Sequence, residues 1–143
     1  MCAFRKALSR TSPIVEHVVD VVRRKLEQGK VVHLMGHSYG GAVVSMAATV
    51  IWELNPQAAL EVNTYGSVYT PSEFPGGNGA TKVHHMLFMN DRVALACNGL
   101  RPHLPAPPCV VWLVKVGRSG FDTHNSYGRD MVGDAQHFDF EYR

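Results

Sequence analysis

The chain has few cysteines, no block of like charge and no long apolar run, and each absence closes off a class of function. Cys2, Cys97 and Cys109 are odd in number and lack CxxC spacing. They form neither a disulfide framework nor a zinc-ribbon pattern, as a reduced compartment permits. Fourteen basic against twelve acidic residues leave a formal charge of +2, without the electrostatic footprint of a nucleic-acid partner. The only basic run, RRK at residues 23–25, falls where a helix should end and reads as cations complementing its C-terminus. No window approaches a membrane span, and the leading MCAFRKALSR lacks the apolar core of a secretory signal. A soluble, intracellular protein is expected. The eight histidines include no HxH or HExxH arrangement, so neither a metal nor a cofactor is expected.

What is present suits one compact domain. With 143 residues, 45% of them hydrophobic, the chain can hide about 70% of its unfolded surface, and residues 1–143 are read as a single domain. Ser12 and Pro13 resemble a helix cap and first helical position. Ile14, Val18, Val22 and Leu26 then recur every four residues, and Gly29 supplies the stop. VVHLM at residues 31–35 is short and rich in β-branched residues, which suits a strand buried on both faces. Residues 41–54 read as a second helix whose small residues Gly41, Ala42, Ser45 and Ala48 allow close approach to a sheet. Further strands are expected at 60–66, 83–90 and 109–116, with a loop at 70–80 holding two prolines and three glycines, and an irregular stretch at 98–108 holding four prolines. The tail from residue 117 begins as a loop and finishes in a short helix. Strands alternating with helices favour an α/β layer with a mostly parallel sheet.

Between the first strand and the second helix lies GHSYGG, residues 36–41. On composition alone, GxSxG arises in about one chain in twenty of this length; its context sharpens it. A nucleophile elbow needs a strand running in, a helix running out and small residues around a strained turn, and all three are here. Gly36 and Gly40 would keep side chains away from the neighbouring strand and helix. The backbone N–H of Tyr39 would point at an oxyanion developing beside Ser38, where the helix N-terminus adds partial positive charge. The alternatives are a plain strand-to-helix turn or a phosphate-cradling loop. The dinucleotide form GxGxxG does not match, however, and no Gly-Lys-Ser or Gly-Lys-Thr occurs.

A serine hydroxyl needs a base to take its proton and a carboxylate to orient that base, in the chain order Ser, acid, His for this fold class. Asp91 follows directly on the strand expected at 83–90, and His124 comes eight residues after the strand expected at 109–116. Asp122 is the competing acid. His137, His103, His84 and His85 are competing bases, each read more simply as a surface or core histidine. His37 reads as packing or hydrogen-bonding support.

These residues carry a resemblance to the C-terminal core of the α/β-hydrolase fold, and most of all to the class 3 lipases. Their elbow usually reads GHSLGG followed by small residues, here GHSYGGAVVSMAA. NTYGSVYTP is similar to their Gly-Ser-Pro turn at Gly66 and Ser67, with Val68 in place of the proline. Asn90 and Asp91 match their Asn-Asp pair, and His124 with Tyr127 matches a histidine shortly before a tyrosine. The likeness spans roughly residues 15–127. It implies a reduced α/β-hydrolase-like core, with a mostly parallel sheet flanked by helices, acting as a serine carboxylic-ester hydrolase on a small ester or lipid. A non-catalytic binding module on the same scaffold and an acyltransferase using the same three residues are the alternatives.

Only thirty residues precede the elbow strand, so the usual source of a second oxyanion N–H and of a lid is missing. A reduced enzyme, a fragment and an inactive descendant are the competing explanations. The donor would then come from Ser67, the 70–80 loop or another subunit. The missing strands also leave an edge that a soluble protein must cover. A homodimer is expected, and a strict monomer by light scattering at micromolar concentration would remove that expectation.

Overall fold

A computed structural model describes residues 8–102, 104–113 and 121–128, the side chains of Phe121 and Asp122 excepted. Helix α1 (Pro13–Glu27) opens with proline at its first turn, where a missing N–H costs nothing. The Ser12 hydroxyl accepts from Ser9 N–H (2.9 Å) rather than capping the helix. Val15 and Val22 form the buried stripe, supported by Val18, Val19 and Leu26. Ile14, expected in that stripe, is 46% exposed, because the packed face runs through Val15, one position further on.

Strand β1 (Val32–His37) continues two residues beyond the expected end, since Gly36 and His37 still pair with Thr64 and Tyr65. It is not buried on both faces: His33, Met35 and His37 are exposed, alternating with half-buried neighbours. The reason is position. The sheet order is β1-β2-β3-β4, with β2 (Leu60–Tyr65), β3 (Val83–Phe88) and β4 (Val110–Leu113) all parallel. The outer edge of β1 therefore has no partner strand among the described residues. Residues 114–116 of the last expected strand lie outside the described residues, as does the expected helix of the tail.

Helix α2 (Tyr39–Leu54) starts immediately after Ser38, two residues earlier than expected. Its sheet-facing side chains Val44, Ala48, Ile51 and Trp52 build the main core with Val62 and Val83. Trp52 meets Phe74 edge to face with centroids 5.4 Å apart, and its indole N–H donates to the Ala58 carbonyl (3.3 Å). A second cluster of Val15, Val43, Ala47 and Val68 joins α1 to α2.

The 70–80 stretch is not wholly loop. It holds a 3-10 turn (Pro75–Gly77) and the start of a one-turn helix, α3 (Gly79–Lys82), tied down where Asn78 Nδ2 donates to the Pro56 and Pro75 carbonyls. Helix α4 (Arg92–Asn98), which the sequence does not announce, is capped at its start by Asp91 and closed by Gly99 in the left-handed conformation. Helix α5 is the single turn Phe121–His124. Together these features make a reduced α/β-hydrolase-like fold: a parallel sheet flanked by helices. No helix among the described residues is long and apolar enough to cross a membrane.

Candidate active site

The turn after β1 is held in a conformation that side chains ordinarily avoid. Ser38 has φ 55° and ψ −120°, the one positive φ on a non-glycine residue among the described residues, and such a geometry persists only when its surroundings over-determine it. They do so here. Ser38 N–H donates to the Tyr65 carbonyl (3.1 Å), while the Ser38 carbonyl accepts from Gly41 N–H (3.1 Å) and Val68 N–H (3.3 Å). A Cβ on Gly36 would lie 2.3 Å from the Gly40 carbonyl oxygen, and one on Gly41 would lie 2.6 Å from Ser67 Cβ. Gly40 is a correction: a Cβ there would meet nothing within 4 Å. The approach that excludes side chains is that of Gly36 onto the Gly40 main chain, not the reverse.

Two further segments converge on the serine. His124, at the end of α5, places Nε2 2.8 Å from Ser38 Oγ. Its Nδ1 lies 3.1 Å and 3.0 Å from the two carboxylate oxygens of Asp91. A carboxylate only accepts, so Nδ1 carries the proton and Nε2 is left to accept from the serine hydroxyl. His124 is nearly buried and Asp91 fully so. Asp91 also accepts from Ala94 N–H (3.0 Å) and from the Tyr127 hydroxyl (2.7 Å). Burial pushes its carboxyl pKa up. The hydrogen bonds from His124, Ala94 and Tyr127 outweigh that and leave it below the usual value.

Tyr127 is the supporting residue that residue-by-residue reading did not single out beyond its place in the resemblance. Its hydroxyl accepts from Phe88 N–H (2.9 Å) while donating to Asp91, and its ring lies on Phe88 with centroids 4.5 Å apart. Burial, then the neighbouring carboxylate, push the phenol pKa far above its ordinary value, so it stays a donor. Gly66 makes room for this arrangement. At φ +56°, a Cβ there would lie 2.5 Å from Tyr127 Cε2 and 2.9 Å from Asp91 Oδ2.

The remaining candidates fall elsewhere. The Ser67 hydroxyl donates to the Tyr69 carbonyl (2.6 Å) and accepts from Tyr69 N–H (3.1 Å), so its one proton is already committed. His85 is fully buried. Its Nδ1 accepts from the Thr64 hydroxyl, and its Nε2–H donates to the Pro71 carbonyl, both at 2.7 Å. His84 is exposed on the same strand. His103, His137 and Cys2 lie outside the described residues, as does the Asp122 side chain. Cys109 Sγ donates to the Gly79 carbonyl (3.0 Å), and burial raises its pKa, as for a structural thiol. Among the described residues no group of three His, Cys, Asp or Glu side chains is placed to hold a metal.

Tyr39 opens α2, so its amide sits at the N-terminus of a 16-residue helix directly after Ser38, where the helix dipole favours negative charge. A serine, an imidazole and a carboxylate in this relay can carry acyl transfer. No curated protein and no solved structure matches the chain. The family model described as lipase (class 3) matches residues 1–91, a segment that contains the elbow and ends on Asp91, with His124 and Tyr127 beyond it. The strained serine turn thus lies within a match that covers well over half of the chain, and the protein belongs to the class 3 lipase family.

Proposed function

We propose that the protein is a serine carboxylic-ester hydrolase working through an acyl-enzyme on Ser38. Family membership supports a lipase- or esterase-type hydrolase. The observation that carries the finer reading is the unbroken relay from Ser38 Oγ through His124 to Asp91, at 2.8 Å and 3.0 Å. Ser38 Oγ attacks the ester carbonyl carbon as His124 Nε2 takes the hydroxyl proton. The charge that develops on the carbonyl oxygen faces Tyr39 N–H at the start of α2. Collapse of the tetrahedral intermediate expels the alcohol, which receives the proton from His124. Water then attacks the acyl-serine with His124 again as base, releasing the acid and restoring Ser38. Throughout, Asp91 holds the imidazole tautomer and stabilises its cation. The substrate class is a small ester or a lipid ester.

Intact-mass spectrometry after treatment with a fluorophosphonate probe tests this. One adduct is expected on the wild type and none on Ser38→Ala or His124→Ala, with kcat for nitrophenyl esters falling about 10⁶-fold in either variant. Folded wild type that neither labels nor hydrolyses a panel of such esters would overturn the proposal and favour a non-catalytic module on the hydrolase scaffold.

A further inference from the structure

Resting on the proposed role of His124 as base, we infer that His37 is a positioning residue that sets the distance between that base and the serine. His37 is the last residue of β1 and the neighbour of Ser38, and it is exposed, so core packing does not account for its side chain. Its Nε2 lies 2.7 Å from the main-chain carbonyl oxygen of His124. A carbonyl can only accept, so His37 donates, and both the Nε2–H tautomer and the imidazolium supply that donor. Its ring stands 5.2 Å from the His124 ring and 5.8 Å from the Tyr127 ring.

The need for this contact follows from where His124 sits. Its element α5 is a single helical turn, too short to hold its own position. On one side the 121–128 segment is fastened to β3 and α4, through the Tyr127 bonds to Phe88 and Asp91 and the His124 bond to Asp91. Those bonds fix the imidazole relative to Asp91, but Asp91 does not ride on the strand that carries Ser38. Among the described residues, the His37 bond is what joins the His124 main chain directly to β1, in the residue before the nucleophile. Loss of that bond leaves the base oriented by its carboxylate but free to drift from the serine, and a misplacement of about 1 Å at a reacting group costs on the order of 10²-fold in rate. The defect should fall on the chemical step, not on substrate binding.

The test uses the full chain with His37→Leu, His37→Asn and His37→Gln. The glutamine amide nitrogen reaches about as far as Nε2, whereas the asparagine amide falls short. Expected are kcat for a nitrophenyl ester and the fluorophosphonate labelling rate both lowered about 10- to 100-fold in the leucine and asparagine variants, KM nearly unchanged, and recovery of most of the loss in His37→Gln. Urea midpoints identify any variant that fails to fold. If His37→Leu is such a variant, the comparison of asparagine with glutamine decides. The inference is overturned if folded leucine or asparagine variants label at the wild-type rate, or if glutamine is as impaired as they are. His124→Ala run alongside separates the two readings. If it labels as fast as wild type, the assignment of the base fails and that of His37 with it. If it is inert while His37→Leu is fully active, only the role of His37 fails.

Discussion

Acidification should destabilise this protein through His85 before its carboxylates titrate. The side chain is fully buried between β2 and the chain at Pro71, with Nδ1 accepting from Thr64 and Nε2–H donating to the Pro71 carbonyl. That pattern satisfies the neutral ring, and a second ring proton would have to turn the Thr64 hydroxyl away from Nδ1 in a fully buried site. Burial lowers its pKa most, the Pro71 carbonyl offsets part of this, and neighbouring His84 lowers it further, from the ordinary 6.5 to about 4. Because the folded value lies below the unfolded one, the unfolded chain takes up the proton first. Stability is therefore intact above about pH 6.5, falls by up to about 1.4 kcal/mol per pH unit below it, and has lost about 3 kcal/mol by about pH 4. Against a typical total of about 5–15 kcal/mol, that is a large fraction. Urea denaturation of wild type and His85→Gln across this range measures it. The wild-type free energy should fall more steeply, by nearly one proton's slope. Parallel pH profiles for the two proteins would refute the reasoning.

Gly66→Ala should combine left-handed strain with a Cβ 2.5 Å from the Tyr127 ring, costing about 2–4 kcal/mol and reducing ester hydrolysis. Gly40→Ala, in open space near the start of α2, should leave stability unchanged or raise it by up to about 1 kcal/mol; chemical denaturation of the pair measures the contrast. Tyr127→Phe removes the acceptor of Phe88 N–H and one donor to Asp91, for an expected loss of about 1–3 kcal/mol. Asp91 titrates below its ordinary value in the fold, so its contribution is present above that value and lost as pH falls through the folded one. With a donor gone, the folded value rises toward the unfolded one, so that acid limb should be smaller and end at higher pH, as denaturation profiles of variant and wild type would register.

The elements around the serine were legible because their signals are local. β-branched residues at 31–35, glycines in GHSYGG and small residues along α2 each act within a few positions of one another. Asp91 was legible from its place after a strand, and it also caps α4. What escaped the sequence depends on partners far along the chain. The register of β1 with β2 carries the strand to His37, and an edge position leaves Met35 exposed. The turns inside residues 70–80 are pinned by Pro56, over twenty residues away. The contact of His37 with His124 spans 87 positions, and no pattern within either segment announces it. Gly40 misled because the glycine pair in GHSYGG looks symmetrical, while only the backbone shows that Gly41 is the one facing Ser67.

The strictly sequential order of the parallel strands has a consequence for chain growth. Each strand lies beside the one made just before it, so the sheet can assemble from its amino-terminal edge as synthesis proceeds. Ser38 is in place early, but it meets His124 only after 86 further residues have emerged. On the proposed relay, a chain that ends before α5 would carry the turn but lack the group that takes the serine proton. On the same proposal, reactivity would wait on the arrival of α5, long after the serine turn is made.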